Sequence, residues 1–297
     1  MNKTIENSKI YIDVENCTKC QECVKDCVAN LFSFDQGRLR LDDSFEEVCI
    51  ECGHCEAVCP VNVIQLKFHE EVELVLSSKR DEFPKYNSFL QLVLNRRSIR
   101  QFKEKAIPKD LMEKLLTIGR YSPTGGNVQN ISYTVVQEKE IVVSISKHIT
   151  NKVTKLVNAL ENPQGRELLK KRLSDEEIKL ALENLPKSKR KLKMIEQGID
   201  FWCWNGELIV IHGDKTIGGI PSNTALAAAN IMLAAETLGL GACSLGYLTY
   251  FINKSRTIRE LLKVPTNHTV GYCLTMGYPD VKYKRIPARK HSRVQWL

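Results

Sequence analysis

Two segments near the start of the chain alternate apolar and polar side chains and then run into cysteine: "KIYIDVENC" (9–17) and "RLRLDDSFEEVC" (38–49). The period of two predicts a strand in each, at a sheet edge. After each cysteine run comes a second strand-like stretch, "VANLFSF" (28–34) and "PVNVIQLKF" (60–68). The pattern is an internal duplication, one strand–loop–turn unit per run. Residues 69–88 mix charge, serine and Pro84 and read as a connector. A helical period then begins at Phe89, with Leu90, Val93 and Leu94 on one face. A second helix follows Pro108 and carries Leu111, Leu115 and Ile118 on its apolar side. "SPTGGN" (122–127) is a loop by composition, and "ISYTVVQ" (131–137) a strand. Residues 145–203 are helical by pattern and heavily charged, with a capping box at Ser174 and Glu177. "ELIVIHG" (207–213) is apolar without a break and predicts a central strand; "YCLTMGYP" (272–279) predicts another. Between them "TALAAANIMLAA" (224–235) is apolar nearly all round, with only Asn230 polar inside. Such a helix is buried on every side, by its own core or across a two-fold interface.

The 297 residues suffice for a small and a medium domain. No apolar run approaches the roughly 20 residues of a membrane span. The first residues lack the apolar core of a secretory signal, so the expected compartment is the cytoplasm, where thiols stay reduced. Charge divides the chain unequally. Residues 1–80 hold 9 Lys+Arg against 15 Asp+Glu, and the remainder holds 34 against 20. The basic run "KSKRKLK" (187–193) follows Pro186 without interleaved aromatics. It reads as a solvated helix face, and no nucleic-acid partner is expected.

Eight of the eleven cysteines lie in two copies of C-x2-C-x2-C-x3-C. Three thiolates so spaced wrap one 4Fe–4S cube, and the fourth lies too far along to close it, so it crosses to the other cube. One cluster is then expected on Cys17, Cys20, Cys23 and Cys59, the second on Cys49, Cys52, Cys55 and Cys27. Zinc is the competing reading, but structural zinc sites use separated cysteine pairs, four ligands per ion. His54, alone inside the second loop, cannot make Rieske ligation and is read as a packing or hydrogen-bonding residue. The segment resembles a bacterial two-cluster ferredoxin, with Val28 in place of the proline that follows Cys59 in the second run.

The arginines of "RRSIRQF" suit either of two roles: ending a helix against its dipole, or gripping phosphate with guanidinium forks. That segment, then "YSPTGGNVQN", "NTALAAANIMLAAETLGLGACSLGYL" and "GYPD…ARK", occur in this order over residues 90–290. The order resembles the nitroreductase family of FMN-dependent oxidoreductases, and the whole chain resembles the fused ferredoxin–nitroreductases of anaerobes. The resemblance implies a homodimer with FMN at the subunit interface. It assigns Arg96, Arg97, Ser98 and Arg100 to the FMN phosphate and ring edge. Pro123, Thr124, Gly125, Asn127 and Gln129 would come from the other subunit. Backbone N–H groups of Leu245 and Gly246 would face the ring, and Arg289 and Lys290, with Arg285 as competitor, would complete the phosphate site. The chain departs from relatives in reading Gln129-Asn130-Ile131 after the loop asparagine, and in placing Leu245 where some carry glutamate.

The expected fold class is α+β. A two-cluster ferredoxin-like domain (1–75) and a linker (76–88) precede a three-layer α/β/α nitroreductase-type domain (89–297). The latter has a mostly antiparallel central sheet and a charged helical insert, 145–203. "FWCWN" (201–205) closes that insert, as plain core or as a lid over an aromatic substrate. Cys203, Cys243, Cys273 and His212 are read as structural. The expected activity is an FMN-dependent oxidoreductase: ferredoxin or a similar donor feeds the clusters, and a small nitroaromatic, quinone or activated alkene is reduced. No acidic or histidine side chain stands out as a proton donor. The alternatives are an NAD(P)H-driven flavin reductase with the clusters as outlet, and a non-catalytic redox sensor or electron relay.

Overall fold

A computed structural model describes residues 3–67 and 79–297. The end of the first expected domain, residue 75, and the start of the connector lie outside the described residues. The chain divides into two compact units, Met1–Phe83 with Gly126–Val128, and Pro84–Gly125 with Gln129–Leu297.

The first unit contains β1 (Thr4–Glu6), β2 (Ile10–Asp13), α1 (Glu22–Asp26), β3 (Phe32–Asp35) and β4 (Arg38–Leu41). It ends with α2 (Phe45–Val48), α3 (His54–Ala57) and β5 (Ile64–Leu66). The four strands read from alternation are β2, β3, β4 and β5. Two of them close the duplication: β2 pairs with β5 antiparallel, placing Tyr11 opposite Gln65. The edge position expected for β2 is overturned, because β1 covers its other side. Only three residues long, β1 carries too little alternation to be seen in sequence. The inward residues Ile10, Ile12, Phe32, Leu39, Phe45 and Ile64 are almost fully buried and form one small core with the cysteine loops.

The second unit runs through α4 (Tyr86–Asn95), α5 (Lys109–Arg120), β6 (Ser132–Val136), α6 (Lys139–Glu161), α7 (Pro163–Lys170), α8 (Asp175–Glu183) and α9 (Leu185–Glu196). It continues with β7 (Glu207–Asp214), α10 (Ile220–Thr237), β8 (Gly241–Ser244), α11 (Gly246–Lys254), α12 (Arg256–Leu261) and β9 (His268–Gly277). The sheet order is β6-β7-β9-β8, every pair antiparallel. β7 explains the layering. Leu208 and Val210 enter one core with α6, α11 and α12, while Ile209 and Ile211 enter a second core with α5 and α10. A strand buried on both faces needs no polar alternate, hence its unbroken apolar run. The three-layer expectation holds.

Three helix readings change in detail. In α5 the buried face is Met112, Leu115 and Gly119, and Ile118 is 44% exposed. The helix is rotated so that Gly119 admits Tyr133 and Ile231, whose atoms would lie 2.6 and 2.9 Å from a Cβ there. In α10, Ala227, Ala228, Ile231 and Ala235 are buried, but Leu226 is 45% exposed and Ala229 is open too. Within one chain α10 is therefore not buried on every side. In α9, Lys187, Lys189, Arg190 and Lys193 are solvated as expected, whereas Lys191 is half-buried. The capping box is present: Ser174 Oγ accepts the Glu177 N–H at 3.1 Å, and Glu177 accepts the Ser174 N–H at 2.9 Å. Among the described residues no helix is long and apolar enough to cross a membrane.

Candidate functional site

The two cysteine loops are built alike, residue for residue. Lys19 and Gln21 in the first and Glu51 and Gly53 in the second take left-handed backbone, as do Asn30 and Asn62 farther on. Five of these six are not glycine, and such conformations cost of order 1 kcal/mol or more each. They coil the chain tightly enough to turn successive thiols inward. The Lys19 N–H points at Cys17 Sγ, the Glu51 N–H at Cys49 Sγ and the Leu31 N–H at Cys27 Sγ, each at 3.4 Å. α1 and α3 then start one residue before Cys23 and Cys55.

The fold brings the distant fourth cysteines across. One cavity is lined by Cys17, Cys20, Cys23 and Cys59, with Phe34, Leu39 and Ile64 as apolar wall. The other is lined by Cys27, Cys49, Cys52 and Cys55, with Phe32, Phe45 and Leu66. Each cavity is thus ringed by four thiols. Among the described residues no three His, Cys, Asp or Glu side chains are spaced for a single ion. Eight thiols in two quartets, each with an apolar wall, suit two 4Fe–4S cores.

Burial pushes the Cys23 thiol up to about 11, with Cys17 adding to the shift. It pushes Cys55 up to about 12, and Cys49, Cys52 and Cys27 add to it. Bare, these sulfurs are protonated at neutral pH; as ligands they need a compensating positive charge. His54 lines the second cavity, and its Nδ1 meets Asp26 Oδ2 at 3.1 Å.

The residues assigned by resemblance to FMN fall into separate groups. α4 ends at Arg96, and Arg97 turns back to donate from Nη1 to the Leu94 and Arg96 carbonyls at 2.6 and 2.5 Å. Arg97 thus closes its own helix, and its Nε is buried without a partner among the described residues. Ser98 bridges to Ala242 and the Ile99 N–H donates to the Ala242 carbonyl at 3.1 Å. That short bridge sets the arginine segment beside β8, three residues from Leu245. Arg100 lies over the Trp204 ring at 5.7 Å.

Leu245 needs correcting. Its N–H donates to the Cys273 carbonyl at 2.9 Å and so belongs to the sheet end. Gly246 opens α11 instead: it is exposed, and nothing lies within 4 Å of where its Cβ would be. The open N–H end there belongs to Gly246 and Tyr247.

In the loop after α5, Thr124 Oγ1 accepts the Gln129 N–H at 3.1 Å, and the Gly125 N–H donates to Asn223 Oδ1 at 3.2 Å. Pro123 is exposed, and Asn127 closes a short turn, Gly125–Asn127, in left-handed backbone. Asn223 sits in the first turn of α10. Glu236, whose carboxyl feels the charges of Arg96 and Arg97 while burial raises its pKa, sits in the last. Thirteen residues of helix separate the two by roughly 20 Å. One chain therefore does not gather the arginines and the 123–125 loop into one site. Arg289 and Lys290, with Arg285, are exposed beyond β9, where no helix or strand forms.

Sequence reasoning missed Glu236, Asn223 and Tyr247. Only Tyr247 had a signal, its place directly after Gly246. One cavity of about 570 Å³ contains none of the assigned residues. It lies at the start of β7, where Glu207 is fully engaged by the Ile107 N–H and Gln137 Nε2, each at 2.7 Å. Cys203, Cys243 and Cys273 are buried packing residues. Trp202 is core, its Nε1 donating to Thr150 Oγ1 at 2.9 Å.

Comparison with known proteins agrees with this division. The 4Fe-4S dicluster domain profile matches residues 16–64, and the Nitroreductase family profile matches residues 93–278. A 7Fe ferredoxin of Hydrogenibacillus schlegelii is 35% identical over 82 residues, 25% of this chain and 97% of its own. An Archaeoglobus fulgidus protein, provisionally named NADH dehydrogenase/NAD(P)H nitroreductase, is 24% identical over 64% of this chain and 84% of its own. The fold resembles an FMN-bound nitroreductase from Desulfitobacterium hafniense, TM-score 0.50 at 18% identity, over 70% of this chain and 98% of that one. The chain belongs to the nitroreductase family of oxidoreductases and carries a 4Fe-4S dicluster ferredoxin domain before its nitroreductase domain.

Proposed function

We propose that this chain takes in single electrons through its cysteine quartets and delivers them in pairs to a small organic acceptor. The carrying observation is the pair of crossed quartets, each ringing its own apolar-walled cavity. Cys17, Cys20, Cys23 and Cys59 would hold one 4Fe–4S cluster, and Cys49, Cys52, Cys55 and Cys27 the other. FMN, where bound, supplies the exchange between one-electron and two-electron chemistry.

The chain's residues fit that flavin in part. Arg96 and Arg100, two residues either side of Ser98, would supply guanidinium groups to a phosphate, and Arg97 stiffens their segment by closing α4. The exposed N-terminus of α11 at Gly246 and Tyr247 offers N–H donors and the positive end of a helix to a developing anion. The loop of Pro123, Thr124, Gly125, Asn127 and Gln129 would serve the site of a second copy, as its distance from Arg96 along α10 supports. The open Leu226 and Ala229 stripe of α10 supplies an apolar surface for that copy. Arg289 and Lys290 would complete the phosphate contacts from the exposed C-terminal stretch.

The test is anaerobic iron, sulfide and FMN analysis, followed by an acceptor screen. Reduced ferredoxin is the donor, and nitroaromatics, quinones and activated alkenes are the acceptors. Turnover of at least one acceptor with about eight irons per chain is the expected result. Reduction without turnover of any acceptor would point to the electron-relay reading. Flavin bleaching by NADH or NADPH alone would point to the NAD(P)H-driven one.

A further inference from the structure

Three rings and two cations form a continuous row that reaches from Arg100 and Tyr247 to two side chains with no role so far, Lys191 and Phe201. Lys191 Nζ stands 3.5 Å from the Tyr247 ring centre and 5.3 Å from that of Phe201. Phe201 contacts Tyr247 at 6.0 Å and Trp204 at 5.3 Å between centroids. Arg100 covers the far end, over Trp204. The row begins at the mouth of the candidate site, since Tyr247 follows Gly246 in the first turn of α11 and is 51% exposed.

The chemistry of Lys191 is unusual for this surface. Lys189, two residues earlier, pairs with Glu161 at 2.6 Å, whereas among the described residues Lys191 meets the faces of Phe201 and Tyr247. Lys191 is half-buried, and the ring quadrupoles of Tyr247 and Phe201 attract its ammonium. An anion brought there would meet a cation flanked by ring surface, where Coulomb attraction is stronger than in bulk. The half-buried rings beside it favour a flat, electron-poor partner in offset or edge contact.

Resting on the reductase reading above, we propose that this row selects the acceptor: a flat aromatic carboxylate, its ring against Phe201 and Tyr247 and its carboxylate on Lys191. The competing explanation is a clamp, with Lys191 merely fixing α9 to α11. The two differ in what a charge-removing substitution does to a neutral ligand.

The experiment is calorimetric titration of the oxidised, FMN- and cluster-loaded protein with para-nitrobenzoate and with its neutral analogue para-nitrobenzamide. Lys191→Gln should weaken nitrobenzoate binding about tenfold, the effect of roughly 1.4 kcal/mol, and leave nitrobenzamide within about twofold. Lys191→Arg should restore nitrobenzoate binding. Unchanged nitrobenzoate affinity in Lys191→Gln, equal losses for both ligands, or binding of neither ligand to the wild type overturns the inference. Turnover of nitrobenzamide on the same samples checks the reductase reading separately. Charge-selective binding with no reduction of any acceptor would sink that reading and leave the row as a carboxylate site.

Discussion

His212 shows how a single side chain in β7 couples the sheet to pH. It is 4% exposed; its Nε2 meets Thr134 Oγ1 at 3.2 Å and its Nδ1 meets His268 Nδ1 at 2.8 Å. Burial first, then the neighbouring His268 and Arg259, depress its pKa from 6.5 to about 4. The unfolded chain therefore binds a proton that the folded chain refuses between those values. Stability contributed by this residue is full above pH 6.5 and is lost as pH falls towards 4, by roughly 3 kcal/mol in total. Melting followed by tryptophan fluorescence, which reports the second unit, should fall more steeply from pH 7 to pH 5 in wild type than in His212→Gln. Its structural role was legible, because a lone histidine in an apolar strand usually serves packing; its partner His268 was not. The same holds for Arg97 and Leu245. Their types and order point to a neighbourhood, but whether a guanidinium or an N–H is free depends on which carbonyl the fold brings near. For these two residues the carbonyls belong to Leu94, Arg96 and Cys273.

Helix α10 is the element on which the core shared with α5 and the expected dimer depend. Its inner face lies so close to β9 that a Cβ on Gly271 would stand 2.1 Å from Thr224 Oγ1 and 2.9 Å from its Cγ2. Gly271→Ala should cost about 1–3 kcal/mol by overpacking. In a Thr224→Ala background, where both atoms are gone, the cost should shrink; a double-mutant cycle by denaturant unfolding measures this. The outer face makes a different prediction. Leu226→Glu places a charge on the open stripe, so sedimentation should show loss of dimer, and FMN retention should fall with it if the site is shared between copies. A monomeric wild type, or a dimeric variant with full flavin, would refute the shared site. Sequence showed that this helix is apolar all round, but composition alone cannot say which face meets its own sheet and which meets another chain.

At the scale of the molecule, the duplication made the first unit the most legible part. Thiol spacing is a covalent constraint, and it already implied the crossing that the two cavities display. The helical insert was legible as helix through its period and capping box. Its purpose was not, because the contact of Lys191 with Tyr247 joins residues 56 positions apart with no periodic signature. Crossing has a direct chemical consequence. Cys17→Ser with Cys59→Ser damages one quartet only and should leave about four irons per chain. Were each run to hold its own cluster, the same double variant would damage both and leave almost none. Iron and sulfide analysis after anaerobic reconstitution distinguishes the two.

The claim that electrons enter through the cysteine quartets is tested most directly by anaerobic stopped-flow mixing with a reduced ferredoxin, following flavin absorbance. Wild type is compared with Cys23→Ser/Cys55→Ser, which breaks both quartets and leaves the second unit untouched, with FMN content measured on each sample. The account predicts prompt flavin bleaching in wild type and flavin that stays oxidised on the same timescale in the variant. Equal bleaching rates in the two proteins would contradict it.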